Sequence, residues 1–520
     1  MIGDGQNIPF ATFLGFHAEK VPDIDLNFPS DFQSIAHEHM KEILNKTGNT
    51  CYKAGTIQTT QEKQARGYAL GYFESLGKDT TKIRNAEIDH IASGCIDVKR
   101  STGQHPGGVI VIPKGMEAYD FTPVQFPADD PDSTWMTTHY DFHKIHDNVL
   151  KFDMLGHVDP QAIRMQCDLC GFSFMDMKEK IPISDPEAHS LFWSADALHL
   201  KRNVLQQETG ALGLPEFGTE NGRRVLLETQ PRSFADLVRI SGLSHGTNVF
   251  AGNAEDLIKN EGFKLKDVIA CRDDIMTVLH DRYGVDNSDA FAIMEFTRKG
   301  NFGKPGSDDK KAKFIQIMQD HNVPEWYIES CKKIAYMFPK GHAVAYVTNC
   351  IRCAWFKVHQ PLSYYATYFT LRCDGYDIAT MMKGLEACLS RRNDIQMRVM
   401  NHEPVSNPEL ATINALESTI EMYDRGYSFA PLSVLTSEAT SFSIDHVKHR
   451  VIPSLTSING LGASVAEQIV RARKEKMFTS VDDLKTRAKV GDTMLKKLRE
   501  VGGLDGLPES NQLSLFDLFK

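Results

Sequence analysis

The sequence lacks the features of a membrane-spanning or secreted protein. Its 520 residues contain no run of 18 apolar residues, which argues against a helix that crosses a bilayer. The opening residues, Met1 to Gln6, have neither a basic nor an apolar segment, so we expect no signal peptide and a cytoplasmic location. Ten cysteines are too sparse for a disulfide scaffold in a chain of this length. The net charge of −10 shows no overall basic excess, so any nucleic-acid surface must be local.

Composition and patterning favour a soluble α+β protein with several domains. Hydrophobic residues make up 41% and charged residues 24%, which is ordinary for globular proteins. The length allows about three or four domains. Strand candidates and turns alternate in residues 1–165, whereas residues 160–390 show mostly apolar positions at helical spacing. A distinct module follows at 452–507.

Two pairs of cysteines have the C-x-x-C spacing, Cys167/Cys170 and Cys350/Cys353. Both pairs lie in apolar, helix-like stretches, and four sulfurs together would suit a zinc ion. The alternative is burial as free thiols, because cysteine packs readily as a small hydrophobe. We favour free thiols, since the pairs lack the compact spacing of a zinc ribbon.

Three aspartates, Asp23, Asp25 and Asp153, are candidate ligands for divalent cations. Asp23 and Asp25 lie two residues apart in a strand-like segment, so their side chains should share one face. Such close like charges repel unless a cation neutralises them. Hard carboxylate oxygens suit Mg²⁺, and two such ions can clamp a phosphoryl transfer. The alternative is that D-x-D is a common pattern on exposed strands and has no metal role.

Residues 457–470 have the form of a helix-hairpin-helix. Gly460 and Gly462 form a G-x-G turn that brings backbone N–H groups to the start of a helix, where they can bind a phosphate oxygen. Arg471, Arg473 and Lys474 follow and would add phosphate contacts. We therefore expect binding to the DNA backbone without sequence specificity. The alternative is a small helical bundle capped by glycines.

A second, weaker copy of this motif is predicted from Phe478 to Leu507, with the segments Ser480–Leu484 and Val501–Leu504. The stretch 471–500 contains ten Lys and Arg residues against five Asp and Glu residues, which supplies the local basic surface that the whole chain lacks. The final residues include Gln512, Leu515 and Phe516 in a Q-x-x-L-F pattern. Such a tail can insert aliphatic and aromatic anchors into a groove on a partner.

These residues together resemble one family, the C-terminal part of the PolC-type DNA polymerase III alpha subunit, a C-family replicative DNA polymerase of low-GC Gram-positive bacteria. The resemblance covers almost the whole chain. The segments that carry it are Pro22–Phe28, Thr102–Gly108, Tyr119–Pro123, Thr138–His143, Lys151–Asp153, Leu214–Gly218, Ser241–Thr247, Cys271–Met276 and Met337–Ala343.

The resemblance implies an architecture and a set of functional residues. It implies part of a polymerase-beta-like palm in 1–165, mostly helical fingers in 166–385, a duplex-binding domain with tandem helix-hairpin-helix elements in 386–507 and a flexible clamp-binding tail in 508–520. Two Mg²⁺ ions would bind at Asp23, Asp25 and Asp153. The residues implied for the deoxynucleoside triphosphate (dNTP) are Lys151, Arg272, Lys340 and His342. The implied partners are primer–template DNA, dNTP and the sliding clamp.

The family also has parts that this sequence does not show, namely the N-terminal part of the palm, the thumb, the PHP domain and the exonuclease. We therefore expect a partial enzyme with little activity alone, completed by a chain that supplies the N-terminal half. Two hypotheses remain open: a template-directed DNA polymerase that uses the aspartates, and a non-catalytic fragment that binds DNA and the clamp. A metal-dependent phosphohydrolase is weaker, because no evident base lies near Asp23.

Overall fold

The computed structural model describes residues 8–16, 24–127 and 130–511. Two compact units divide the described chain: Pro9–His157, called here the sheet unit, and the part from Val158 onward, called the helical unit. Strands and helices occur in both, so the α+β, multi-domain class predicted from the sequence is confirmed.

The sheet unit is built on six strands: β1 (Ile24–Pro29), β2 (Thr50–Thr59), β3 (Lys99–Ile112), β4 (Val124–Gln125), β5 (Thr137–Thr138) and β6 (Leu150–His157). Their spatial order is β1-β6-β3-β2-β5-β4. β1 runs parallel to β6, and β6 runs antiparallel to β3. The helices among the described residues of this unit are α1 (Ala11–Leu14), α2 (Gln33–Lys46), α3 (Glu62–Ser75), α4 (Asn85–Ser93) and α5 (Phe142–Ile145).

Helix α2 covers one face of this sheet. Its residues Ala36, Met40 and Leu44 recur every four positions, so they form one apolar stripe along the helix. This stripe packs with Val109 of β3 and Met154 of β6. Because neighbouring residues of a strand point to opposite faces, the side chain of Asp153 lies on the face away from α2.

Apolar residues also cover part of the opposite face. Ile110 and Ile112 of β3 are fully buried there and pack with Ile145 and Val149 from the segment that leads into β6. α3 and α4, which lie between β2 and β3 in the sequence, pack against each other around a separate small core centred on Phe73. The sheet is therefore anchored on both faces, which fixes the positions of the strands that carry the aspartates.

Helices dominate the helical unit. They are α6 (Val158–Cys170), α7 (Met177–Lys180), α8 (Pro186–Ser190), α9 (Glu220–Thr229), α10 (Phe234–His245), α11 (Glu255–Asn260), α12 (Arg272–Thr277), α13 (Asn287–Arg298), α14 (Asp308–Asp320), α15 (Glu325–Lys333), α16 (Lys340–His359), α17 (Pro361–Leu371), α18 (Ile378–Met381), α19 (Leu385–Met400), α20 (Asn407–Asp424), α21 (Ala463–Glu475), α22 (Val481–Ala488) and α23 (Asp492–Glu500). Three short strands, β7 (Ser428–Phe429), β8 (Ser443–Asp445) and β9 (Arg450–Ile452), form a second sheet in the order β7-β9-β8.

The 20-residue helix α16 is central, because it packs against α6, α8, α10 and α17. Its last turns contain a buried ion pair. The Nζ atom of Lys357 lies 2.9 Å from Oε1 of Glu421 and donates to the carbonyl oxygens of Gly210 and Leu212 at 2.9 and 2.6 Å. Tyr365 donates to the same carboxylate at 2.7 Å. This network joins α16, α17 and α20 to the loop before α9.

The paired cysteines lie within the helices of this unit. Cys167 and Cys350 are fully buried, and Cys353 is nearly so. Burial raises the pKa of Cys167 to about 11 and that of Cys353 to about 12, so both remain thiols at neutral pH. The thiol of Cys350 donates to the carbonyl oxygen of Pro215 at 3.1 Å. Across the described ranges, no helix is long and apolar enough to cross a membrane.

Candidate metal and nucleic-acid sites

The pairing of β1 with β6 places two of the predicted carboxylates side by side. Asp25 is the register partner of Asp153 in this parallel pair. Register partners on adjacent strands lie about 4.8 Å apart and direct their side chains to the same face. Two aspartates that are 128 positions apart in the sequence thus meet at one place on the sheet.

Asp153 has two carboxylate oxygens in different surroundings. The ammonium of Lys151 lies 2.7 Å from Oδ2, and it also lies 4.2 Å from the centre of the Phe142 ring. Oδ1 is buried and has no hydrogen-bond partner. Since an unpaired buried carboxylate oxygen is costly, Oδ1 is suited to bind a cation.

His105 of β3 lies beside the same oxygen, with its Nδ1 atom 3.6 Å from Oδ1 of Asp153. The backbone N–H groups of Gly108 and Gly107 donate to this Nδ1 at 2.7 and 3.2 Å. Nδ1 therefore acts as an acceptor and carries no hydrogen that could reach Asp153. The two groups are neighbours but form no hydrogen bond.

The donors around Asp25 and Asp153 fit a divalent cation, because carboxylate oxygens are the hard ligands that Mg²⁺ prefers. Asp23, the third predicted ligand, lies outside the described residues. Among the residues that the structure describes, no set of three or more His, Cys, Asp or Glu side chains is grouped as a metal site. The structure thus brings together two of the three predicted carboxylates.

In the helical unit, two of the predicted dNTP residues, Arg272 and Lys340, lie beside a buried acidic pair, Asp273 and Asp274. Asp274 accepts a hydrogen bond at 2.8 Å from Nζ of Lys340 and lies 3.5 Å from the guanidinium of Arg239. Burial alone would raise the pKa of Asp274, but Arg239 and Lys340 together hold it below its ordinary value. Asp273 accepts from the backbone N–H of Lys340 at 2.8 Å. The ammonium of Lys340 is therefore engaged inside the protein.

Arg272 is the first residue of α12, and its backbone N–H donates to the carbonyl oxygen of Phe338 at 3.2 Å. Its side chain is 16% exposed and lies 3.8 Å from Asp273. His342 lies in an aromatic group with Phe338 and Tyr346, at ring distances of 5.9 and 6.4 Å. Arg272, Lys340 and His342 thus belong to one neighbourhood at the start of α16.

The first helix-hairpin-helix turn has the geometry that the sequence predicts. Gly460 has a φ of +86°, a left-handed conformation that favours glycine, and Gly462 is the N-cap of α21. α21 has 13 residues, no side-chain hydrogen bond at its N-cap and no acidic residue in its first turn. The backbone N–H groups of this turn are therefore accessible to an anion.

Basic residues around this turn differ in their availability. Arg471 and Lys474 are exposed. Arg473 is only 8% exposed, and it donates to the carbonyl oxygens of Val434 and Ser437 at 3.2 and 2.7 Å. We therefore correct the prediction that Arg473 contacts DNA phosphates, because its buried guanidinium is bound to backbone carbonyl oxygens within the domain.

Sequence reasoning missed Lys497. Its ammonium donates to the carbonyl oxygen of Asn459 at 2.6 Å, and it would lie 2.9 Å from a Cβ atom placed on Gly460. Lys497 belongs to α23, so the second hairpin contributes a cation to the first turn. The basic character of 492–500 was visible in the sequence, but its distance from Gly460 was not.

The second copy, predicted from Phe478 to Leu507, has its turn at 489–491. Lys489 has a φ of +53°, Val490 is buried, and Gly491 is the N-cap of α23 with ψ 158°. This repeats the left-handed, buried, N-cap order of Gly460, Leu461 and Gly462. This turn lies inside the range predicted for the copy, but the sequence did not single it out, because a lysine in the left-handed position gives no glycine signal. The tail residues Gln512, Leu515 and Phe516 lie outside the described residues.

Comparisons with known proteins match this arrangement along the chain. Residues 4–89 and 73–156 match the family model described as "Bacterial DNA polymerase III alpha NTPase domain". Residues 159–322 match "Bacterial DNA polymerase III alpha subunit finger domain", and residues 426–513 match "Helix-hairpin-helix motif".

Curated relatives named DNA polymerase III PolC-type match over nearly the full chain. The protein of Listeria monocytogenes is 50% identical over 99% of this chain, and that of Bacillus subtilis is 48% identical over 99%. The protein of Lactococcus lactis is 46% identical over the whole chain. This chain belongs to the PolC-type DNA polymerase III family. The resemblance predicted from its motifs is confirmed.

The chain spans about a third of the length of these relatives: the match covers 34% of the Listeria and Bacillus proteins and 31% of the Lactococcus protein. Membership of the PolC-type family therefore concerns a segment.

Proposed function

We propose that this chain provides the metal-binding strands, the nucleotide-binding helices and the duplex-binding hairpins of a template-directed DNA polymerase. The reaction would join the α-phosphate of a dNTP to the 3′-hydroxyl of a primer and release pyrophosphate. The predicted domain assignments, with palm in 1–165, fingers in 166–385 and duplex-binding domain in 386–507, belong to this proposal.

One observation carries the proposal: Asp25 and Asp153 are register partners on parallel strands, and Oδ1 of Asp153 is buried without a partner. A fragment that only binds DNA has no need of two adjacent carboxylates whose repulsion must be offset. The family match adds the expectation that Asp23 completes the set of ligands.

Bound Mg²⁺, as two ions, would lower the pKa of the primer hydroxyl and neutralise charge on the triphosphate. Asp25 and Asp153 would hold these ions at the sheet surface, with Asp23 as the third ligand. Lys151 would remain beside Oδ2 of Asp153, where its charge also favours phosphate oxygens. Template pairing would select the base, so no side chain is needed to read it.

For the dNTP, Arg272 would contact the triphosphate, and His342 would line the same surface of α16. Lys340 can take part only if its ammonium leaves Asp274 or serves both groups. For the duplex, the turn at Gly460 and Gly462 would hold a backbone phosphate, with Arg471 and Lys474 adding charge.

Primer extension tests the catalytic proposal. The chain would be assayed alone and with a second polypeptide that matches the remaining length of the PolC-type relatives. Asp153→Asn should abolish extension by the complemented enzyme while duplex binding is retained. Asp147→Asn is the matched control, since Asp147 is 85% exposed and lies just before the same strand. Full extension by Asp153→Asn would remove this carboxylate from the mechanism.

A non-catalytic fragment that binds DNA and the sliding clamp is the second candidate. The open N-terminus of α21 favours it. Extension that stays absent under complementation, together with duplex binding, would support it. For the tail, Leu515→Ala with Phe516→Ala should abolish capture of the chain by immobilised clamp; unchanged capture would refute that role.

A further inference from the structure

His105 has no role in the proposed chemistry, yet its imidazole lies 3.6 Å from the unpaired oxygen of Asp153. Three other facts meet at this point. Gly108 is the register partner of Asp153 across the antiparallel pair of β3 and β6. Gly107 and Gly108 each carry a backbone N–H donor at or next to this register position. Both donate to Nδ1 of His105 instead.

The local sequence explains why the His105 side chain accepts hydrogen bonds from these two amides. Pro106 has no N–H, so the first amides available to the His105 side chain are those two and three residues further along. A side-chain acceptor that takes these amides forms a local turn of the kind that Asn and Asp commonly make. The imidazole of His105 thus occupies the place of such an acceptor within a strand.

Gly108 cannot easily be replaced in this arrangement. A Cβ atom at this position would lie 2.8 Å from Cβ of Ala54 and 3.0 Å from Nδ1 of His105. The backbone of β3 therefore passes close to the imidazole, and the Gly108 amide is held at 2.7 Å from Nδ1.

Amide donors bind carboxylates strongly, and two N–H groups released from His105 would have Oδ1 of Asp153 as a nearby acceptor. A carboxylate oxygen that accepts such bonds is a weaker cation ligand. We propose that His105 is a positioning residue: its Nδ1 retains the amide hydrogens of Gly107 and Gly108 and so keeps Oδ1 of Asp153 available to a divalent cation. This inference rests on the proposed metal site.

The proposal predicts which replacements preserve the site. In His105→Asn, the amide oxygen occupies the position of Nδ1 relative to Cγ, so it can accept the same two hydrogens. In His105→Leu, the acceptor is lost while the side chain stays of similar bulk. His105→Gln places the acceptor one bond further out and serves as a second test if the leucine variant does not fold.

Binding of Mn²⁺ to the intact chain, followed by electron paramagnetic resonance of the free ion, measures the effect without any need for polymerase activity. His105→Leu and His105→Gln should weaken the Asp153-dependent binding about tenfold, at the low end of the losses seen for residues that support metal ligands. His105→Asn should stay within about twofold of the unchanged chain, because the acceptor is retained. Circular dichroism melting identifies variants that are folded.

Asp153→Asn distinguishes a failure of the proposed metal site from a failure of the proposed role of His105. If Asp153→Asn binds Mn²⁺ as well as the unchanged chain, the proposed metal site fails and this inference fails with it. If Asp153→Asn loses binding but folded His105→Leu and His105→Gln keep it, only the role of His105 is refuted. Loss of binding in His105→Asn equal to that in His105→Leu would also refute it, because the acceptor would then not be what matters.

Discussion

Two basic residues on one helix allow a sharp test of duplex binding. Arg471 and Lys474 are exposed on α21, whereas Arg473 between them is buried. The perturbation is the double variant Arg471→Ala with Lys474→Ala, and its matched control is Arg473→Met. All three side chains are basic and lie within four positions, so their different surroundings decide the outcome.

The magnitude follows from counterion release. Each phosphate that a basic side chain neutralises adds about 0.9 to the slope of log affinity against log salt concentration. Loss of two contacts should therefore reduce the slope by about 1.8. Between 50 and 200 mM salt, each contact changes the affinity about threefold, so the variant should be markedly less salt-sensitive than the unchanged chain.

Arg473→Met should leave the salt slope unchanged. It should instead reduce the stability of the domain, because Arg473 donates to the carbonyl oxygens of Val434 and Ser437. Hydrogen bonds from a charged donor contribute about 1.5–3 kcal/mol each, and partial relaxation offsets some of this loss. We expect a lower melting temperature with unaltered counterion release.

Fluorescence anisotropy of a labelled duplex over a salt series is the suitable assay, measured below the melting temperature of every variant. An unrelated duplex of the same length checks that binding is independent of sequence. An unchanged slope in the double variant would show that these side chains do not contact phosphates. A reduced slope in Arg473→Met would show that the buried placement of Arg473 does not hold in solution.

Three further predictions concern other parts of the chain. Lys357→Met should lower the free energy of unfolding by about 3–5 kcal/mol in urea titrations, since it leaves the buried carboxylate of Glu421 without its cation. Burial lowers the pKa of Lys357 from 10.5 to about 8, so the unfolded chain binds this proton more tightly than the folded chain. The contribution of Lys357 to the free energy of unfolding should therefore rise between pH 8 and pH 10.5. If the difference in unfolding free energy between the unchanged chain and the variant fell over this range, the prediction would be contradicted. Gly108→Ala should lower the melting temperature, because its Cβ would lie 2.8 Å from Cβ of Ala54, and an unaltered melting curve would mean that β3 shifts freely. Burial raises the pKa of Cys331 to about 12, so this thiol should resist a thiol reagent at pH 8 until urea unfolds the chain; rapid labelling of the folded protein would refute its burial.

The sequence predicted the strands of Asp25 and Asp153, because both aspartates lie within short apolar segments of alternating pattern. It did not predict their register. Register depends on which apolar face packs against α2, and a slip of one residue would turn Asp153 to the other side of the sheet. The resemblance implied that these two residues lie close together, and the pairing of β1 with β6 is what places Asp25 beside Asp153.

Residues whose roles depend on tertiary neighbours were less predictable. Arg473 belongs to the same basic run as Arg471, and only the loop at 434–437 distinguishes them. Lys497 reaches the Gly460 turn from a helix more than 30 positions further along. His105 was part of a recognised motif, but its acceptor role became clear only from the Gly107 and Gly108 amides. In each case the deciding partner is a backbone group, which leaves no side-chain signal in the sequence.

The two carboxylate oxygens of Asp153 would allow the proposed metal site to fold before a cation binds. Adjacent carboxylates at Asp25 and Asp153 would destabilise the sheet if neither were neutralised. Lys151 lies two residues before Asp153 on the same strand, so it shares the same face and its ammonium reaches Oδ2 at 2.7 Å. Oδ1 has no hydrogen-bond partner, and the Gly107 and Gly108 amides donate to His105. The strand thus supplies a cation for one oxygen and leaves the other without a partner, so a divalent ion at the proposed site would bind Asp153 without first displacing the lysine.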